Sequence, residues 1–132
     1  MSKGKLTIVQ GDVTNPQYTA PNEVALICHV CNNGTDERGI GVMGAGVAFA
    51  LRQKWPSVYD EYKKMEKEFP DGLKNRLGDV CFSQAAYNII VANMIAQNNL
   101  VSLNNPIPLK YSALVKCMEK IRDRIKNSIN PE

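Results

Sequence analysis

The chain has 132 residues, 44% of them hydrophobic and 22% charged, with 16 Lys and Arg against 13 Asp and Glu for a formal net charge of +3. These are the proportions of one ordinary globular domain covering 1–132, which excludes disorder, collagen-like repeats and coiled-coil arrays. No apolar run approaches the ~20 residues of a membrane span, and Met1-Ser2-Lys3-Gly4-Lys5 opens on an amphipathic stretch rather than a secretory signal, so a cytoplasmic protein with no membrane association is expected, its four cysteines carried as thiols.

Lys5 to Gln10 alternates into a β-branched run stopped by Gly11-Asp12, which predicts a first strand with Asp12 at its end. Thr14 to Asn22 carries Pro16 and Pro21 and reads as a loop. Val24 to Cys31 is apolar except for His29, as expected of a strand buried on both faces. Asn32 to Gly39 has neither period nor apolar content, and five glycines fall from Gly34 to Gly46, so this is a loop. Val47, Ala48, Ala50 and Leu51 mark a helix that runs to Trp55 and is broken by Pro56. Ser57 to Phe69 reads as a second, charged helix, ended by Pro70-Asp71-Gly72. Asp79 to Gln84 and Ile89 to Ile95 are short strands separated by residues 85–88, and Leu109, Ala113, Leu114, Cys117, Met118, Ile121 and Ile125 recur at helical spacing. Strands interleaved with helices define an α/β sandwich with a mixed sheet.

Several residue patterns carry chemistry. Gly39-Ile40-Gly41-Val42-Met43-Gly44 fits the letter of G-x-G-x-x-G. It lacks the context of a dinucleotide fold, because seven residues separate Cys31 from Gly39 and the acids about twenty positions on, Asp60 and Glu61, fall within a helix. What remains is a run of backbone N–H groups from Gly44 through Ala45, Gly46 and Val47 beside a helix start, suited to a diphosphate; a glycine turn that only allows close packing is the competing reading. Cys28-His29-Val30-Cys31 has a C-x-x-C spacing, yet consecutive strand residues point to opposite faces and no second ligand pair follows, so no metal is assigned. Trp55, Tyr59 and Tyr62 form a stripe read as core rather than as a base-stacking platform, and Lys63, Lys64 and Lys67 alternate with Glu66 and Glu68 as a solvated face. The interleaved charges argue against a nucleic-acid partner.

Three ordered motifs carry a resemblance: Gly11-Asp12-Val13-Thr14 at a strand end, His29-Val30-Cys31-Asn32 ending a buried strand, and Met43-Gly44-Ala45-Gly46-Val47-Ala48 before a helix. In this order and spacing the chain resembles the macrodomain family, and Leu77-Gly78-Asp79-Val80 with Ala92-Asn93-Met94-Ile95-Ala96-Gln97 is similar to its phage and bacterial members that process ADP-ribose-1″-phosphate. The resemblance implies a three-layer sandwich around a mixed sheet that binds ADP-ribose at the ends of its strands, with no cofactor. It implies that Asp12 accepts from the adenine amino group with Val13 beside it, that Gly44, Ala45, Gly46 and Val47 hold the diphosphate, and that Asn32 contacts the distal ribose.

By the same resemblance His29 and Asn32 are the candidate catalytic pair at a distal phosphate, for a phosphatase or ADP-ribosyl hydrolase. A non-catalytic reader of ADP-ribose or of ADP-ribosylated protein is the alternative, and RNA or poly(ADP-ribose) binding a third. The family's last strand and second glycine loop have no counterpart after the final helix, so a C-terminally incomplete sandwich is expected. Nor does residue 95–99 offer the lysine that some hydrolytic members use.

Overall fold

The computed structural model describes residues 7–16, 23–33, 46–68, 76–98 and 103–129. Six elements follow one another: β1 (Ala25–Asn32), α1 (Gly46–Lys54), α2 (Pro56–Glu68), β2 (Val80–Ala86), β3 (Ile89–Gln97) and α3 (Tyr111–Ile129). The sheet order is β1-β3-β2, with β1 parallel to the central β3 and β2 antiparallel to it. It is therefore a mixed sheet in an α/β sandwich.

Strand alternation sorts the core into two layers. Ile27, Cys31, Cys81, Val91 and Ile95 face α1 and α2, where Leu51, Val58 and Tyr62 are fully buried. Ala92, Met94 and Ala96 face α3, which lays Ala113, Cys117 and Ile121 on them. Those three helix positions are four apart, the spacing of one helix face. Asp79, just before β2, is held by Arg76 at 3.4 Å and by Lys120 of α3, which fixes α3 across the sheet.

Pro56 separates α1 from α2 as the sequence predicts. It occupies the first position of α2, where its missing N–H costs nothing, while the Trp55 N–H still closes on the Leu51 carbonyl at 2.8 Å. The hairpin is tighter than expected: β2 continues to Ala86, a register shift between Gln84 and Ala86 absorbs the extra residue, and Tyr87-Asn88 makes the turn.

Two expectations are corrected. Residues 7–10 form no strand, and Ile8 and Val9 are exposed. Alternation specifies which face a strand would bury, but a strand exists only where a partner ladder takes its backbone groups. β1 is also not buried on both faces: its odd residues are covered, whereas Cys28, on the α3 side, is exposed. The reason is its place in the sheet, where among the described residues only β3 pairs with it.

Candidate functional site

The parallel strands β1 and β3 end side by side, and both ends are built of amides. The Asn33 N–H donates to the Gln97 carbonyl at 3.1 Å, and Asn33 Nδ2 donates to Asn98 Oδ1 at 3.2 Å. Asn105 Nδ2 donates to the Asn98 carbonyl at 2.7 Å, and the Asn98 N–H is taken by the Pro108 carbonyl at 2.8 Å. Asn33 is buried, Asn32 half-buried and Asn98 exposed. From α2, the hydroxyl of the fully buried Tyr62 donates to the Asn32 carbonyl at 2.6 Å. The strand exit is thus braced from below and from the side, holding groups that both donate and accept at the carboxyl ends of a sheet, where ligands of α/β proteins bind.

Asn32 is where the sequence placed it. Asn33 falls in a segment the sequence marks only as loop, and Asn98 carries no role there; the signal in the sequence is the pair of amide doublets, Asn32-Asn33 and Asn98-Asn99, each following an apolar run. Tyr62, read as core, is core with a polar tip that reaches the site.

Gly44 and Ala45 lie outside the described residues, while Gly46 and Val47 open α1. Gly46 has φ +62°, the left-handed region that L side chains resist, and no described atom lies within 4 Å of where its Cβ would stand. Conformation, not close packing, is what calls for glycine here. α1 has no acidic residue in its first turn, so nothing in that turn opposes an anion at its partially positive end. The C-terminal Lys54 of α1 and Trp55 share a pocket with Asn88 and Ile89 at the strand starts, so α1 runs back along β1 and Gly46 lies toward the strand ends.

His29 is 6% exposed and points into the α1/α2 layer. Its Nε2 meets Oδ1 of Asn93, its register partner on β3; an amide oxygen only accepts, so the ring proton resides on Nε2. Asn93 Nδ2 donates to Ser83 Oγ at 3.4 Å, and Ser83 Oγ donates to the Val58 carbonyl at 3.4 Å. The other ring nitrogen, Nδ1, is 3.9 Å from Cys31 Sγ. A one-way chain of donors therefore crosses all three strands. Burial holds the imidazole below its ordinary 6.5, only partly opposed by the bond to Asn93, so the ring is neutral at pH 7. Burial likewise raises the thiols of Cys28, Cys31 and Cys117, keeping them protonated at pH 7. Among the described residues no group of three His, Cys, Asp or Glu could hold a metal, and Cys28 and Cys31 serve opposite sides of the sheet.

Asp12 is not brought together with Asn32. Its Oδ1 accepts from the Thr14 N–H at 2.9 Å and from the Thr14 hydroxyl at 2.7 Å, and these bonds, with Lys54 nearby, hold the carboxyl below its ordinary range. Thr14, Asn15 and Pro16 line a cavity of about 230 Å³ with Lys54, Trp55, Asn88 and Ile89, at the strand starts. Val13 is exposed. The Asx-type turn at Asp12 is the local capping that a Gly-Asp-Val-Thr sequence provides in any setting.

No protein-family model matches the sequence, and no curated protein matches it. Solved structures do. A protein of unknown function from Bacteroides thetaiotaomicron is 28% identical, with a TM-score of 0.67 over 86% of this chain and 65% of that one. A second crystal structure from that organism is 28% identical, with a TM-score of 0.66 over 85% of this chain and 66% of that one. The structure of a macrodomain protein from Streptomyces coelicolor is 28% identical, with a TM-score of 0.63 over 89% and 69%. The chain therefore spans about two thirds of the length of the structures it matches. Among the described residues no helix is long and apolar enough to cross a membrane.

Proposed function

We propose that this chain binds ADP-ribose, free or attached to protein, at the carboxyl ends of β1 and β3. The observation that carries this reading is the braced amide exit, Asn32-Asn33 against Gln97-Asn98, at the mouth of a glycine-rich segment that enters α1 through a left-handed glycine. The amides suit the paired hydroxyls of a ribose, each of which donates and accepts. The backbone N–H groups from Gly44 to Val47 suit the diphosphate, and the likeness to a macrodomain protein agrees with this ligand.

The environment of His29 favours a binding domain over a hydrolase. A neutral ring, already donating to Asn93 and packed beneath α1 and α2, serves the sheet interior rather than a distal phosphate. Removal of a 1″-phosphate by His29 and Asn32 is the catalytic alternative.

Calorimetry with ADP-ribose, ADP, AMP and inorganic phosphate tests the reading. Micromolar or tighter binding of ADP-ribose with clearly weaker AMP is expected, together with no phosphate released from ADP-ribose-1″-phosphate. Equal affinity for AMP and ADP-ribose, or no heat from folded protein, would overturn the ADP-ribose reading. Phosphate release that disappears in His29→Ala at unchanged thermal stability would establish the hydrolase.

A further inference from the structure

Beyond Ile95 the end of β3 is laced on both edges. Toward β1, Cys31 pairs with Ile95 but Asn32 pairs with Gln97, so Ala96 is an extra residue in the parallel ladder. A bulge of this kind re-aims the side chains that follow it. On the other edge, residues 108–110 return antiparallel: the Lys110 N–H donates to the Ala96 carbonyl at 2.9 Å, the Asn98 N–H donates to the Pro108 carbonyl at 2.8 Å, and Gln97 bridges Leu109. The residues that leave the sheet are therefore bonded on both sides, as an interior strand is.

This lacing fixes Asn98 one polar group at a time. Its N–H goes to Pro108, its carbonyl accepts from Asn105 Nδ2 at 2.7 Å, and its Oδ1 accepts from Asn33 Nδ2 at 3.2 Å. Asn33 is itself anchored, with its N–H on the Gln97 carbonyl and only 7% of its surface exposed. With Oδ1 turned to Asn33, the planar amide presents Nδ2 the other way. Among the described residues no atom takes the Nδ2 protons, and Asn98 is exposed. Most exposed amides turn to offer either end, whereas this one is set to donate. Alternation from Cys31, which faces α1 and α2, puts Asn33 on that same side of the sheet. Asn98, bonded to it, opens toward the side from which Gly46 starts α1.

We propose that Asn98 is a specificity-determining residue of this site: its Nδ2 donates to an oxygen of the sugar carried beyond the diphosphate, and so separates ADP-ribose from ADP. The inference rests on the ADP-ribose reading above, in which the diphosphate lies on Gly44 to Val47 and the sugar on the amides. A sugar hydroxyl or ring oxygen accepts such a bond, and a ligand that ends at the diphosphate leaves Asn98 unengaged. Because the amide is already oriented, binding does not have to order it, and the bond adds to affinity undiminished by that cost.

Calorimetry of the wild type, Asn98→Asp and Asn98→Ala with ADP-ribose and with ADP tests the assignment. Aspartate keeps an acceptor for Asn33 but replaces the donor by a second oxygen, while alanine removes the donor without adding charge. Neither touches the backbone bonds to Pro108 and Asn105, and thermal melting checks the fold. Asn98→Asp should weaken ADP-ribose by about tenfold or more and Asn98→Ala by about fivefold. In both variants the ratio of the ADP to the ADP-ribose dissociation constant should fall by about threefold or more. A wild-type ratio in both variants would overturn the proposal, because the substitutions would then act on the diphosphate or on the fold alone. The wild type supplies a check free of substitution: in nuclear magnetic resonance the side-chain amide signals of Asn98 should move on saturation with ADP-ribose and stay in place with ADP, and equal movement with both would also overturn it. Folded wild type that binds neither ligand would retire the ADP-ribose reading itself and this role with it, whereas ADP-ribose bound without regard to Asn98 would retire this role alone.

Discussion

Replacing Asn93 by leucine removes the middle of the donor chain that crosses the sheet. Leucine keeps the volume but accepts nothing, so the His29 Nε2–H is orphaned in a ring that is 6% exposed, and Ser83 loses its incoming donor. An orphaned buried donor costs about 1–3 kcal/mol and a lost neutral hydrogen bond about 1 kcal/mol, which together give about 2–4 kcal/mol. With an unfolding entropy of about 2.1 cal/mol/K per residue, a chain of 132 residues then melts about 7–14 °C lower. Urea titration followed by the fluorescence of Trp55, the single tryptophan, measures the difference. The double variant His29→Leu/Asn93→Leu replaces both partners and is expected to recover at least about 1 kcal/mol relative to the sum of the two single changes.

The same network sets a pH dependence. The folded pKa of His29 lies below its unfolded value of 6.5, so the unfolded chain binds the proton more readily. Stability should therefore fall as pH drops below 6.5 and stop falling beneath the folded value, with a slope no steeper than about 1.4 kcal/mol per pH unit for one proton. His29→Leu should flatten that window. A loss below about 0.5 kcal/mol for Asn93→Leu, or strict additivity in the double variant, would refute the claim that these groups act as one buried chain.

Tyr62→Phe keeps the ring in the core and deletes only the 2.6 Å bond to the Asn32 carbonyl, so a loss of about 1 kcal/mol in urea unfolding is expected, with ADP-ribose affinity falling several-fold in calorimetry. Leu51→Ala opens a cavity at a fully buried position of α1 and should cost about 2–5 kcal/mol in the same unfolding assay. Gly46→Ala and Gly46→Glu both force a side chain onto φ +62° and should each lose about 1–2 kcal/mol of stability. Only the glutamate, which adds negative charge at the start of α1, should abolish ADP-ribose binding in calorimetry.

Much of the fold could be read from the residues, because hydrophobic period and chain breakers act locally. Pro56 divides α1 from α2 wherever it is placed, and the spacing of Ala113, Cys117 and Ile121 needs no knowledge of the sheet. What escaped the sequence depends on neighbours. Ile8 and Val9 alternate as a strand would, yet no ladder receives them. Cys28 sits in an apolar run that reads as buried on both faces, yet its strand is the edge of the described sheet. The site shows the same division: Asn32 and Gly46 announce themselves by motif, whereas Asn33 and Asn98 gain meaning only when a parallel pairing 65 residues apart brings their amides to 3.2 Å.

The central claim is that ADP-ribose settles on the carboxyl ends of β1 and β3. Nuclear magnetic resonance of 15N-labelled protein, titrated with ADP-ribose, follows the side-chain amides of Asn32, Asn33 and Asn98 and the backbone N–H groups of Gly46 and Val47 in one experiment. These signals should shift together and saturate with one dissociation constant, while the backbone N–H groups of Met118 and Ile125 on the far face stay unmoved. Shifts confined to Thr14, Asn15, Trp55 and Asn88, with the strand-end amides unmoved at saturation, would contradict it.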